Sequence, residues 1–210
     1  MCNSVDLIIA KDHLLQEVKH RPSWDEYFMR QAVLISERST CTRLQVGVVL
    51  VSTENKLLSS GYNGVPKGMM HCKEYFYEYF TKEVIDAQYK TTLTEKEKLY
   101  DLCSTHTLIA NIRERYFNWL NSEDFRKIHR EFSMRNEIHA EQNALAGVSI
   151  EQMRGGKMYS TLSPCENCAK MVVASGIKTF YYLDVYDRDI DNNAFKFLSK
   201  NNIELINVKL

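Results

Sequence analysis

Two short runs, Asn136-Glu-Ile-His139-Ala-Glu141 and Ser163-Pro-Cys165-Glu-Asn-Cys168, decide how this sequence is read. Together they offer one imidazole, two thiols three residues apart, and a carboxylate two residues after the imidazole. Three protein ligands with a fourth position open to water is what a catalytic zinc needs, so His139, Cys165 and Cys168 are the candidate ligands. Ser163-Pro164 reads as a helix start, with Pro in the first turn where its missing N–H is harmless. Cys165 and Cys168 would then share one face of that turn, where the dipole and unpaired N–H groups favour thiolate. Zinc with two thiolates and a neutral imidazole sums to zero charge, a modest Lewis acid that benefits from a base beside its water. Glu141 is placed for that role. A lone Cys-x-x-Cys would fit redox chemistry or structural zinc equally well; the ordered combination with His-x-Glu is far more specific.

The rest of the 210-residue chain bounds the answer without deciding it. Formal net charge is zero and the isoelectric point is near 7.0, so a generally basic nucleic-acid-binding domain is not expected. Six cysteines read as reduced thiols or metal ligands, not as a disulfide frame. No apolar run approaches the length of a membrane span. The first twenty residues lack the early basic region and cleavage site of a secretion signal, and a cytoplasmic protein is predicted. Residues 1–22 are expected to form an N-terminal extension, with Leu14, Leu15 and Val18 on one helix face.

Along the chain, Ser23-Trp-Asp-Glu26 has the form of a capping box opening an apolar helix. Residues 44–51 read as a strand, 53–56 as a turn and 57–60 as a second strand, making a hairpin. It runs into Gly61-Tyr-Asn63-Gly64-Val-Pro66-Lys-Gly68, which permits close approach of a ligand. Asn63 can donate and accept, which suits a sugar hydroxyl or a base edge. A tight turn with Asn63 in the left-handed region explains the same residues equally well. Residues 73–135 are too long for a loop and read as a helical insertion, with helices expected at 74–89, 95–103 and 108–120. Then follow the His139 helix to about 147, a strand at 157–162, the Cys165 helix to 175 stopped by Gly176, a strand at 178–183, a helix at 192–200 and a strand at 203–208. Helix, hairpin and alternating helix and strand predict an α/β protein: three layers, α/β/α, around a central mixed β-sheet.

Gly61-Tyr-Asn-Gly64 with Pro66 and Gly68, His139-Ala-Glu141 with Asn143-Ala, and Ser163-Pro-Cys-x-x-Cys168-Ala-Lys together resemble the deoxycytidylate deaminase family. Gln45-Val-Gly47, Ser175-Gly-Ile177 and the run from Tyr182 to Asp187 fit the same pattern. The phage-type members look nearest. The resemblance covers residues 23–72 and 129–210 and implies a cytidine deaminase-like fold over 23–210, interrupted by the insertion. It implies hydrolytic conversion of dCMP to dUMP and ammonia, feeding thymidylate synthesis. His139, Cys165 and Cys168 would hold zinc, and Glu141 would act as base and then acid. Asn63 and Tyr186 would contact substrate. Arg43 and Arg135 are phosphate partners by charge alone, and for each an exposed surface arginine is the more ordinary reading.

The resemblance also implies a second, structural zinc on Cys41, Cys72, His129 and Glu137, a closed set of four ligands. His71, Cys72, Cys103 and His106 form a rival set. Family members are homo-oligomers, commonly hexamers, regulated by dCTP and dTTP; Ala146-Gly-Val-Ser-Ile150 departs from the phage pattern in a stretch near subunit contacts. Deaminases of dCTP, free nucleosides or tRNA share the zinc chemistry. A zinc-stabilised nucleotide-binding protein without turnover is the non-enzymatic alternative, disfavoured by Glu141, which has no structural duty in the zinc set.

Overall fold

Residues 21–85, 105–185 and 192–210 are described by a computed structural model of the chain. Its helices, in chain order, are Trp24–Ser36 (α1), Cys72–Tyr79 (α2), Thr105–Leu120 (α3), Glu123–Asn136 (α4), Ala140–Leu145 (α5), Ile150–Met153 (α6), Glu166–Ser175 (α7) and Asn193–Lys200 (α8). The strand Gly47–Val51 (β1) is buried along its whole length, which demands cover on both faces. It pairs antiparallel with Leu57–Tyr62 (β2) on one side and with Lys157–Leu162 (β3) on the other. Thr179–Asp184 (β4) and Glu204–Asn207 (β5) then add in parallel, giving the order β2-β1-β3-β4-β5.

The two-residue period of the strands sorts the core. Val49, Val51, Tyr159 and Tyr181 pack against Phe28, Met29 and Ala32 of α1. On the opposite face Val48, Leu50, Met158 and Phe180 pack against Ala140 and Ala144 of α5, Ala169 and Val172 of α7, and Leu198 of α8. The expected mixed sheet between two helical layers is therefore present. Gly47 is where α1 crosses β1: a Cβ there would lie 2.0 Å from the Ala32 carbonyl oxygen. Tyr159 anchors the α1 layer through its hydroxyl, which donates to Asp25 Oδ1 at 2.7 Å, while its ring stacks on Tyr181 at 4.2 Å. Burial, then the Asp25 carboxylate, push its phenol above the ordinary tyrosine value.

Several elements differ from expectation for identifiable reasons. Ser23 caps α1 by accepting from the Glu26 N–H at 3.2 Å, but the Glu26 carboxylate pairs with Arg30, so only half of the capping box forms. The first strand begins at Gly47, not 44, because Asn63 engages the Leu44 carbonyl and the Val46 N–H. The helix expected over 74–89 starts at Cys72 and passes at Phe80–Ile85 into a π-helical turn. Residues 86–89 and the helix expected at 95–103 lie outside the described residues. Helix α4 was not anticipated as a separate element, although Ser122 accepts from the Phe125 N–H and Phe125, Ile128, His129 and Phe132 follow helical spacing. The short α6, capped by Ser149, was likewise unexpected. Helix α7 begins at Glu166, one residue after Cys165, so Pro164 precedes the helix and does not sit in its first turn.

A third apolar cluster, Cys41, Cys72, Phe76, Phe125 and Phe132, joins α2 and α4. Phe76 meets Phe125 edge-on at 5.0 Å and stacks on the His129 ring at 5.4 Å, which fixes that imidazole. No helix among the described residues is long and apolar enough to cross a membrane.

Candidate active site

Backbone contacts deliver the chemistry-bearing side chains to one end of the sheet. Gly64 and Ile138 pair their main chains at 3.1 and 2.9 Å, tying the glycine-rich loop to the residue before His139. The His139 N–H donates to Gln142 Oε1 at 2.9 Å, fixing the first turn of α5. Gly61 lets β2 touch that helix: a Cβ there would lie 2.3 Å from the Ala140 oxygen and 2.4 Å from the Ala144 nitrogen. Across the sheet end, Cys165 caps α7 and its sulfur accepts from the Cys168 N–H at 3.5 Å.

His139 Nδ1 lies 3.5 Å from Cys165 Sγ and 3.4 Å from Cys168 Sγ, and the three donor atoms lie within 4.8 Å of one another. A tetrahedral ion about 2.3 Å from sulfur and about 2.05 Å from nitrogen would set those atoms roughly 3.6 Å apart, so the residues fit zinc. Proton sharing keeps one sulfur anionic. The hydrogen bond with Cys168, reinforced by His139, lowers Cys165 to about 4. Cys168 moves up as the partner that holds the proton. The Cys165 sulfur in turn pushes His139 up to about 8.

Glu141 stands beside these three without joining the ligand cluster, as the residue spacing implied. It is 4% exposed and lines the same open pocket as His139 and Cys165. Burial raises its carboxyl above the ordinary glutamate value, against the opposing pull of its own backbone N–H and of His139. A carboxylate that must take up a proton and release it again gains from such a shift.

Asn63 also lines this pocket, and its φ is not positive, so the left-handed turn reading is set aside. Arg43 lines the pocket half-buried, contrary to the surface reading, whereas Arg135 is exposed. Tyr186 lies outside the described residues.

Cys41, Cys72, His129 and Glu137 converge in a second cluster whose donor atoms also lie within 4.8 Å. His129 Nε2 is 3.3 Å from Cys41 Sγ and 3.6 Å from Cys72 Sγ, again the edges of a metal tetrahedron. His129 and Glu137 are brought together by two turns of α4, with Glu137 as its C-cap. Glu137 Oε1 is buried without a hydrogen-bond partner among the described residues, as befits a ligand oxygen. In the rival set His71 is exposed, Cys72 faces His129 and Cys41 instead, and Cys103 lies outside the described residues. Sequence reasoning missed Ser133, which lines the pocket and donates to Glu137 Oε2 at 2.7 Å; its i, i+4 spacing from Glu137 was the available signal. It also missed Ser39, a buried hydroxyl on Asn63.

A sheet with helices on both faces, carrying a His/Cys/Cys set and a buried glutamate at one end, defines a zinc deaminase centre. The family sequence model for the cytidine and deoxycytidylate deaminase zinc-binding region matches residues 22–184, and the chain belongs to that family. It is 36% identical over 169 residues to the deoxycytidylate deaminase of enterobacteria phage T2, covering 75% of this chain and 78% of that one. The mouse deoxycytidylate deaminase is 28% identical over 178 residues, 84% of this chain and 74% of its own. The dCMP deaminase of cyanophage S-TIM5, solved in complex with dCMP and dUMP, shares the fold with a TM-score of 0.55 at 23% identity, covering 90% of this chain and 100% of that one.

Proposed function

We propose that this protein hydrolyses the 4-amino group of dCMP, giving dUMP and ammonia and so supplying dUMP for thymidylate synthesis. The observation that carries the reading is the convergence of His139, Cys165 and Cys168 at tetrahedral spacing with buried Glu141 beside them. These three residues would hold zinc, which when bound supplies Lewis acidity that makes water a nucleophile at neutral pH. Glu141 takes the water's proton, delivers it to N3 of the ring as oxygen bonds to C4, and assists the amine as the C4–N bond breaks. Its raised affinity for the proton suits the return half of that cycle.

Asn63 steadies the sugar or ring from the pocket wall, Arg43 brings positive charge for the 5′-phosphate, and Tyr186 belongs to the same reading as a substrate contact. Cys41, Cys72, His129 and Glu137 would hold a second, structural zinc, in which His129 of the helical insertion, residues 73–135, joins ligands from the flanking parts of a deaminase domain spanning 23–210. Homo-oligomeric assembly and dCTP and dTTP as effectors belong to the same reading through the family resemblance, and a cytoplasmic location completes it. The test is turnover of dCMP, dCTP, CMP and deoxycytidine by the purified protein and by Glu141→Gln. Selective dCMP deamination that the substitution abolishes, about 10²–10⁴-fold, while zinc stays bound is the expected result. Equal activity on deoxycytidine and dCMP would overturn the monophosphate assignment.

A further inference from the structure

The side chain of Asn63 is more constrained than a pocket amide needs to be. Its Oδ1 accepts from the Val46 N–H at 2.8 Å, and its Nδ2 donates to the Leu44 carbonyl at 2.9 Å. Both main-chain partners have fixed polarity, so they settle which end of the amide is oxygen. The second lone pair of Oδ1 is met by Ser39 Oγ at 2.7 Å. The polarity of that contact is also fixed, because an amide oxygen can only accept and the Ser39 hydroxyl must donate, while its own oxygen accepts from the Cys41 N–H at 3.2 Å. The same hydroxyl lies 2.9 Å from the Asn63 carbonyl oxygen, which shares the proton. Ser39 and Asn63 are both buried, at 9% and 8% exposure, so the bond between them is shielded from water.

Oδ1 is thereby saturated, and the amide keeps a single N–H for the pocket it lines. The sequence left Asn63 able to donate or accept; the network leaves it a donor only. We infer that Ser39 is a positioning residue that holds Asn63 as an N–H donor, so that the substrate atom meeting Asn63 is an acceptor oxygen of the nucleotide. Ser39 does not touch the ligand. It acts by filling the lone pair that would otherwise let the amide tilt and by bracing the 39–46 segment through Cys41. This rests on the reading of the pocket as a dCMP site.

The experiment compares the unaltered protein with Ser39→Ala and Ser39→Thr in steady-state dCMP deamination, with metal content and thermal unfolding measured on each. Ser39→Ala should raise KM about tenfold and change kcat less than about twofold, at unchanged metal content; Ser39→Thr, which retains the hydroxyl, should recover most of the KM. An unchanged KM in Ser39→Ala overturns the inference. So does a loss of kcat that tracks loss of metal or of folded protein, since that is a merely structural role. A Ser39→Thr variant that folds but behaves as Ser39→Ala overturns it as well. If the unaltered protein neither turns over nor binds dCMP by calorimetry, the substrate reading fails first and the inference falls with it, a result distinct from the others.

Discussion

Gly61→Ala puts a methyl group where β2 and α5 touch. The new Cβ would lie 2.3 Å from the Ala140 oxygen and 2.4 Å from the Ala144 nitrogen, both backbone atoms, whereas ordinary contact begins at 3.4 Å. Strand or helix must therefore retreat by about 1 Å, because no side-chain rotation relieves a backbone clash. Overpacking of this kind costs about 1–3 kcal/mol of stability. The larger effect is catalytic. Helix α5 carries Glu141 and follows directly on His139, so its retreat moves the base relative to Cys165 and Cys168, which ride on α7 and its cap. A displacement of about 1 Å at a reacting centre costs on the order of 10²-fold in rate. The assay is kcat/KM on dCMP with a urea melt, read beside Gly147→Ala. Gly147 has φ +85 with nothing within 4 Å, so that variant should lose about 1 kcal/mol of stability through backbone conformation and keep most of its activity. Unimpaired activity and stability in Gly61→Ala would refute the claim that this contact positions the base.

Three further outcomes are expected. Metal analysis should give two zinc ions per chain, falling to one in His129→Ala with a loss of folding stability of about 3 kcal/mol or more; one ion per unaltered chain would end the second-site reading. Tyr159→Phe should destabilise the fold by about 1–2 kcal/mol at neutral pH by removing the bond to Asp25. Its folded value lies above the ordinary one, so the unfolded chain gives up this proton first as pH rises. The stability from the neutral phenol is intact below about pH 10 and is lost above it, by up to about 1.4 kcal/mol per pH unit; urea melts at pH 7 and 10.5 should show a shallower alkaline fall in the variant.

What the sequence made legible was local. His139, Glu141, Cys165 and Cys168 stand out because metal chemistry demands particular atoms at short spacing, and the sheet could be read from β-rich runs bounded by turn residues. What escaped depends on partners far along the chain. The start of β1 is set by Asn63, seventeen residues beyond Val46, and no propensity in 44–46 records it. Ser39 looks like any loop serine until the fold brings it under the Asn63 amide, twenty-four residues away. Arg43 became a pocket residue only when the segment around it was clamped to the sheet end. Helix α4 was different: its cap and spacing were in plain view, hidden only by the length of the polar segment around it.

Zinc-edge X-ray absorption on the purified protein, paired with Cys168→Ser, bears most directly on the centre itself. An absorber bound by imidazole nitrogen at about 2.0–2.1 Å and thiolate sulfur at about 2.3 Å, losing sulfur in the variant, is the predicted spectrum. Zinc-free protein with Cys165 and Cys168 joined as a disulfide, or a spectrum that Cys168→Ser leaves unaltered, would contradict it.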